Sequence, residues 1–151
     1  MSFDDITICS GKASPLGATL SEEGVNFAIF SRHATAVTLI LFESDAQDSP
    51  YREIPLDKRE NKTGDIWHCM IKGLKAGTCY LYRADGIYQP EQGLRYNPHK
   101  ALIDPYAKAL TRFDKWDFKK CTGFDPSSPA KDLAFSKQEN FTVCPPVHRN
   151  R

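Results

Sequence analysis

The stretch AVTLILFE at residues 36–43 is dense in β-branched, aliphatic and aromatic side chains, which fit a pleated strand better than a helix. It is too short for a helix of ordinary length and shows no polar alternation, so it reads as a central strand covered on both faces. Just upstream, GVNFAIFS at residues 24–31 sets Val25, Phe27 and Ile29 in alternation with Asn26, Ala28 and Phe30. That is the period of a strand with one buried face, and Phe30 points to partial cover on the other.

Working outward, the polar run SDAQDSP (44–50) gives way to YREIPL (51–56), where Pro55 has no amide to donate and so places this strand at a sheet edge. After the charged turn DKRENKTG (57–64), Ile66, His68 and Met70 alternate with Trp67, Cys69 and Ile71. Gly73 and Gly77 then frame a connection expected to be a hairpin, with TCYLYRAD (78–85) as the return strand. Short strands separated by turn signals, with no amphipathic helix between them, predict an all-β antiparallel sandwich of two packed sheets.

Beyond Gly86 the chain reads IYQPEQGLRYNPHKALIDPYAKAL, rich in proline, glycine and aromatics. This predicts an ordered segment hugging the surface, with one short helix near Tyr106. From residue 111 onward charges and prolines dominate and no period is sustained, so an irregular, loosely ordered C-terminal tail is expected. The divisions are therefore an N-terminal segment (1–13), the sandwich (14–110) and the tail (111–151).

Composition narrows the function classes. A chain of 151 residues with 40% hydrophobic and 11% aromatic content can bury one real core. Twenty basic against nineteen acidic side chains leave a net charge of +1, so no strong field draws nucleic acid or other polyanions. No apolar run is long enough for a membrane span, and the N-terminus carries acids where a signal peptide places bases. Cys9, Cys69, Cys79, Cys121 and Cys144 lack metal-ligand spacing and are odd in number, which fits free thiols in a reducing cytoplasm or plastid stroma. His33, His68, His99 and His148 show no zinc spacing either, so neither metal nor cofactor is expected. The triplets at Asn61 and Asn140 read as chance matches to a glycosylation signal.

Five segments, in order, carry a resemblance: SPLGAT (14–19), GVNFAIFS (24–31), TGDIWH (63–68), YLYRADG (80–86) and RYNPHKALIDPYAKAL (95–110). Collinear over roughly residues 10 to 110, they resemble the N-terminal module of glycogen debranching enzymes and isoamylases of the α-amylase superfamily. The resemblance implies an early-set, immunoglobulin-like β-sandwich, classed with carbohydrate-binding modules and placed before an (α/β)₈ catalytic barrel. It also implies a parent enzyme that hydrolyses α-1,6 branch linkages in glycogen or starch.

Retaining glycoside hydrolysis needs two carboxylates about 5–5.5 Å apart on rigid elements, and in this superfamily those sit on barrel strands. Such a barrel takes about 250 residues, so no catalytic residue is expected here. Asp57, Glu60 and Asp65 lie in or beside predicted turns and read as solvated charges or turn formers. The ending FTVCPPVHRNR, where the family route would lead into a barrel strand, reads as a fragment, an isoform or a truncated product.

Sugar recognition pairs an aromatic face with polar side chains at the ring's edge. Four residues carry that chemistry: Trp67, Tyr82, Arg83 and Tyr88. A lone strand tryptophan is more often core, Arg83 could instead pair with a carboxylate, and Tyr88 could instead lid the sandwich end. By resemblance, Tyr82 and Arg83 match positions of a tyrosine and a basic hydroxyl ligand, and Tyr88 stands where glycogen-binding relatives carry a stacking tryptophan. Tyr96, Leu102, Ile103 and Tyr106 form an apolar strip which, by the same resemblance, docks on the barrel. The expected partners are an α-glucan, bound weakly if at all, and a debranching enzyme's barrel. The alternatives are a stand-alone glycan-associated or regulatory module and an inactive truncated product.

Overall fold

The computed structural model describes residues 5–44, 49–111 and 118–130, together with 133 and 135–137. In chain order the strands are β1 (Thr7–Cys9), β2 (Gly17–Leu20), β3 (Gly24–Phe30), β4 (Ala36–Phe42), β5 (Arg52–Pro55) and β6 (Lys62–Thr63). They continue with β7 (Ile66–Lys72), β8 (Cys79–Asp85), β9 (Tyr88–Gln89), β10 (Leu94–Arg95) and β11 (Ala101–Leu102). The first sheet has the order β1-β7-β3-β2, with β6 also on β7, and the second the order β11-β8-β4-β5. β9 and β10 pair with each other alone, and all pairings are antiparallel.

The core is the meeting of two inner faces. Val25, Phe27, Trp67, Cys69 and Ile71 from the first sheet pack on Val37, Leu39, Leu41, Tyr80 and Tyr82 from the second. Because side chains alternate across a strand, Ile40 and Phe42 of β4 face the other way. There they join Cys79, Leu81 and Ala101 in a second buried cluster, with Ile103 against it. This accounts for the unbroken apolar run of residues 36–42: β4 is central and covered on both faces, as expected. β5, with Pro55, lies at the edge.

Two expectations are corrected. The Gly73–Gly77 connection is not a hairpin, since β7 and β8 lie in different sheets. Both strands carry large inner-face residues, and the two sets bury each other across the core; the glycines, at φ of 84° and 91°, turn the chain from one sheet to the other. The outer face of β3 is partly covered, as expected: Ala28 is fully buried while Phe30 is 54% exposed. The helix near Tyr106 is instead a single turn, in which Asp104 Oδ1 accepts the Tyr106 amide at 2.8 Å and the Asp104 carbonyl accepts the Ala107 amide at 2.9 Å. The short helices among the described residues are a 3-10 turn at Pro90–Gln92 and α1 (Phe118–Cys121).

The described part of the tail is irregular, and buried polar side chains tie it down. Asn97 Nδ2 donates to the carbonyls of Gly123 at 2.9 Å and Ser136 at 2.7 Å, while Lys100 Nζ donates to the Lys120 carbonyl at 2.6 Å.

Candidate functional site

The four sugar candidates do not converge. Trp67 is fully buried in the core, its Nε1 donating to the Ser31 carbonyl at 3.2 Å and the Lys62 ammonium lying 5.0 Å from the ring centroid. Tyr82 is 1% exposed on the inner face of the second sheet. Both therefore serve the core instead of a sugar surface: an inward position on a two-layer sandwich leaves no open ring face. Arg83, next in sequence, points to the outer face and pairs with Glu53 at 3.4 Å, across the β4 residue Thr38. The Tyr88 ring lies 5.6 Å from Phe135, on whose other neighbour, His99, Phe135 stacks at 6.1 Å.

The docking strip behaves differently. Tyr96, Leu102 and Ile103 line one apolar cleft of about 300 Å³ together with Tyr82, Phe30 and Pro105. The cleft opens between the sheets beside β11, and Leu102 at its mouth is 45% exposed. Tyr106 stands just outside, 57% exposed, and faces Gly17 of β2, where an added Cβ would come within 3.0 Å of its own Cβ. Residues 103–107 thus strap the open side of the sandwich, from the β11 edge of one sheet towards the β2 edge of the other. At the top of the cleft the Tyr96 and Ser31 hydroxyls are 3.2 Å apart.

What fixes the strap is a residue the sequence did not single out. Asp104 is buried, and its Oδ2 accepts the Tyr80 hydroxyl at 2.8 Å. Burial raises the Asp104 carboxyl above the ordinary carboxylate range, against the opposing pull of the Tyr106 amide and the Tyr80 hydroxyl. Burial first, then the Asp104 charge and hydrogen bond, push the Tyr80 phenol upward. The Tyr82 phenol is raised by burial and then by the charges of Asp104, Tyr80 and Cys69, and its hydroxyl has no partner among the described residues. A sequence signal did exist. Asn97-Pro98 and Asp104-Pro105 are both Asx-Pro pairs, which initiate turns, and each side chain accepts the amide two residues on. The pairs announced the turns but not their burial.

Two of the acids weighed for catalysis have other work. Asp57 Oδ1 accepts the amides of Arg59 at 2.7 Å and Glu60 at 3.2 Å, closing a turn, and Asp65 pairs with Arg32 at 3.1 Å. Among the described residues no group of three or more His, Cys, Asp or Glu side chains could hold a metal ion. No described helix is long and apolar enough to cross a membrane.

Comparison with known proteins matches residues 15–107, more than half the chain, to the family described as carbohydrate-binding module 48 (isoamylase N-terminal domain). A glycogen debranching enzyme of Yersinia enterocolitica serotype O:8 is 48% identical over 106 residues, which are 70% of this chain and 15% of that protein. One from Yersinia pseudotuberculosis serotype IB is 47% identical over 100 residues, 66% of this chain and 14% of that one. The chain thus spans about 15% of the length of these curated relatives. Among solved structures, the Group B Streptococcus pullulanase SAP superposes with a TM-score of 0.56 at 20% identity, over 91% of this chain and 15% of its own. The Klebsiella pneumoniae PulA-G680L mutant gives 0.52 at 21% identity, over 66% of this chain and 9% of its own. At such identities the two structures show a shared fold.

Proposed function

We propose a docking and glucan-placing role for this chain, which belongs to the carbohydrate-binding module 48 (isoamylase N-terminal domain) family. In this reading it is the non-catalytic N-terminal module of a glycogen-debranching-type enzyme, whose barrel hydrolyses α-1,6 branch linkages in glycogen or starch. The module braces the barrel and helps bring the branched glucan to it, in the cytoplasm or a plastid stroma. The relatives in which such a segment forms about 15% of the protein support this role.

The observation that carries the docking half is the convergence of Tyr96, Leu102 and Ile103 on one apolar cleft, with Phe30 exposed at its rim. An apolar cleft rimmed by exposed hydrophobic side chains is the kind of surface a partner domain covers. The reading is tested by co-expressing this chain with the Yersinia enterocolitica glycogen debranching enzyme trimmed of its matching segment. A soluble complex that debranches glycogen is expected, and Leu102→Glu with Phe30→Glu should abolish it while leaving the chain folded. Failure of the unaltered pair to associate, or association indifferent to both substitutions, would overturn it.

A further inference from the structure

The geometry points to a second binding groove, for a neutral oligosaccharide, on the outer face of the first sheet. It rests on the proposed function for the class of ligand, and on the structure for its place.

Residues 10–15 cross the outer face of β7 and β3 on the way from β1 at one edge to β2 at the other. This crossing is pinned at three points. His68 Nδ1 donates to the Ser10 carbonyl at 2.6 Å. Asn26 accepts the Lys12 amide at 2.8 Å and donates to the Lys12 carbonyl at 2.9 Å, so one side chain clamps both polar groups of a single residue. Gly11, at φ +72°, passes so close to β7 that a Cβ would lie 2.5 Å from the Cys69 carbonyl carbon. The wall these contacts build is therefore in place before any ligand arrives, which lowers the ordering cost of binding.

Beside it runs a groove of about 730 Å³, within the range of roughly 300–1,000 Å³ typical of small-molecule sites. Met70 and Pro15 supply apolar surface, and Ser14, Thr19, Lys12 and Glu22 supply hydroxyls and charges. Lys12 and Glu22 are exposed, and neither enters an ion pair with another described residue; Glu23, which also lines the groove, is engaged by Lys72 at 3.3 Å. With Glu23 neutralised by Lys72, the lining carries one further ammonium, Lys12, and one further carboxylate, Glu22, a balance that penalises a ligand of either net charge. It rewards an uncharged one whose hydroxyls donate to the carboxylate and accept from the ammonium, with C–H faces for Met70 and Pro15. No aromatic ring is among the described residues lining the groove, so the expected dissociation constant is on the order of 1 mM.

The groove is separate from the sites above. Arg83 lies on the opposite sheet, and the cleft lies between the sheets.

The test is an amide NMR titration of the full chain with maltoheptaose up to about ten times that constant. Shifts are expected at Lys12, Ser14 and residues 21–23. The double variant Lys12→Ala, Glu22→Ala should weaken binding about fivefold or more, a loss of about 1 kcal/mol or more, while Lys58→Ala, at an exposed turn away from the groove, leaves it unchanged. Shifts confined to Arg83 and Tyr88, no shifts at all, or a double variant that binds as tightly as the parent would overturn the proposal. The co-expression assay reads contact with a catalytic domain and is blind to this face, so either idea can fail alone.

Discussion

The Tyr80 hydroxyl donates to the Asp104 carboxylate at 2.8 Å inside the sandwich, and this one contact joins the core to the strap that borders the cleft. Tyr82, two residues along the same inner face, meets Tyr80 edge to face at 5.8 Å, yet its own hydroxyl is buried without a partner among the described residues. Identical side chains in one strand thus carry opposite polar balances.

That asymmetry predicts opposite outcomes for the same chemical change. Tyr80→Phe leaves a buried carboxylate short of a donor and should destabilise by about 1–3 kcal/mol. Tyr82→Phe removes an unsatisfied hydroxyl, so its effect should range from neutral to a gain of about 1 kcal/mol. Urea unfolding of the two variants decides the matter: equal losses would show that Asp104 gives Tyr80 nothing that Tyr82 lacks.

Asp104 should also set a pH dependence. A carboxyl whose folded-state pKa lies above its unfolded value binds its proton more firmly in the fold. Its favourable contribution is full below the unfolded pKa and disappears as pH rises through the folded one. Burial raises the Asp104 value, so the parent should lose stability relative to Asp104→Asn on going upward from about pH 4, the unfolded carboxyl range. Unfolding midpoints of the two proteins across pH 4 to 7 give the difference. A difference that stays constant, or a parent that gains on Asp104→Asn as pH rises, would refute the assignment.

The legible parts of the molecule were those written in local pattern. The unbroken run at residues 36–42 announced a strand covered twice, and Pro55 announced an edge, because burial on two faces and a missing amide each leave a mark on the strand itself. Sheet membership leaves no such mark. The alternation in Trp67, Cys69 and Ile71 and in Tyr80 and Tyr82 looks the same whether the two strands lie side by side or face each other across the core. The apolar strip of Tyr96, Leu102 and Ile103 was visible as composition, and the structure brings these residues to one cleft. Trp67 and Tyr82 have the chemistry of sugar platforms, and only the choice of inward face removes them. Asp104, Asn97 and Lys100 stayed hidden because a polar residue in a proline-rich segment reads as solvated; their partners lie 20 or more residues away.

Thiol chemistry offers an independent check of the core. Cys69 is buried and its thiol is pushed up to about 12 by that burial, while Cys79 is also buried and Cys121 is exposed. Since the thiolate is the reactive form, iodoacetamide at about pH 8 should label Cys121 within the native protein and reach Cys69 and Cys79 only after denaturant is added. Mass mapping that finds Cys69 modified as fast as Cys121 would contradict the packing of β7.

The clasp on the tail gives the last prediction. A single Asn97 amide group serves two carbonyls, of Gly123 and Ser136, while its oxygen holds the His99 amide at 3.0 Å. Asn97→Ala strips all three partners at once, a local cost of about 1–3 kcal/mol. Because those carbonyls lie in the tail, the expected effect is opening of that segment with the sandwich intact. Trypsin should then cut faster after Lys119 and Lys120, the second of which accepts the Lys100 ammonium at its carbonyl, with no change in the tyrosine environment of the core. Asn97→Asp keeps the acceptor for His99 but turns a carboxylate on two carbonyl oxygens, so it should loosen the tail at least as much. Cleavage at the parent's rate in both variants would mean that the tail is held by something other than this amide.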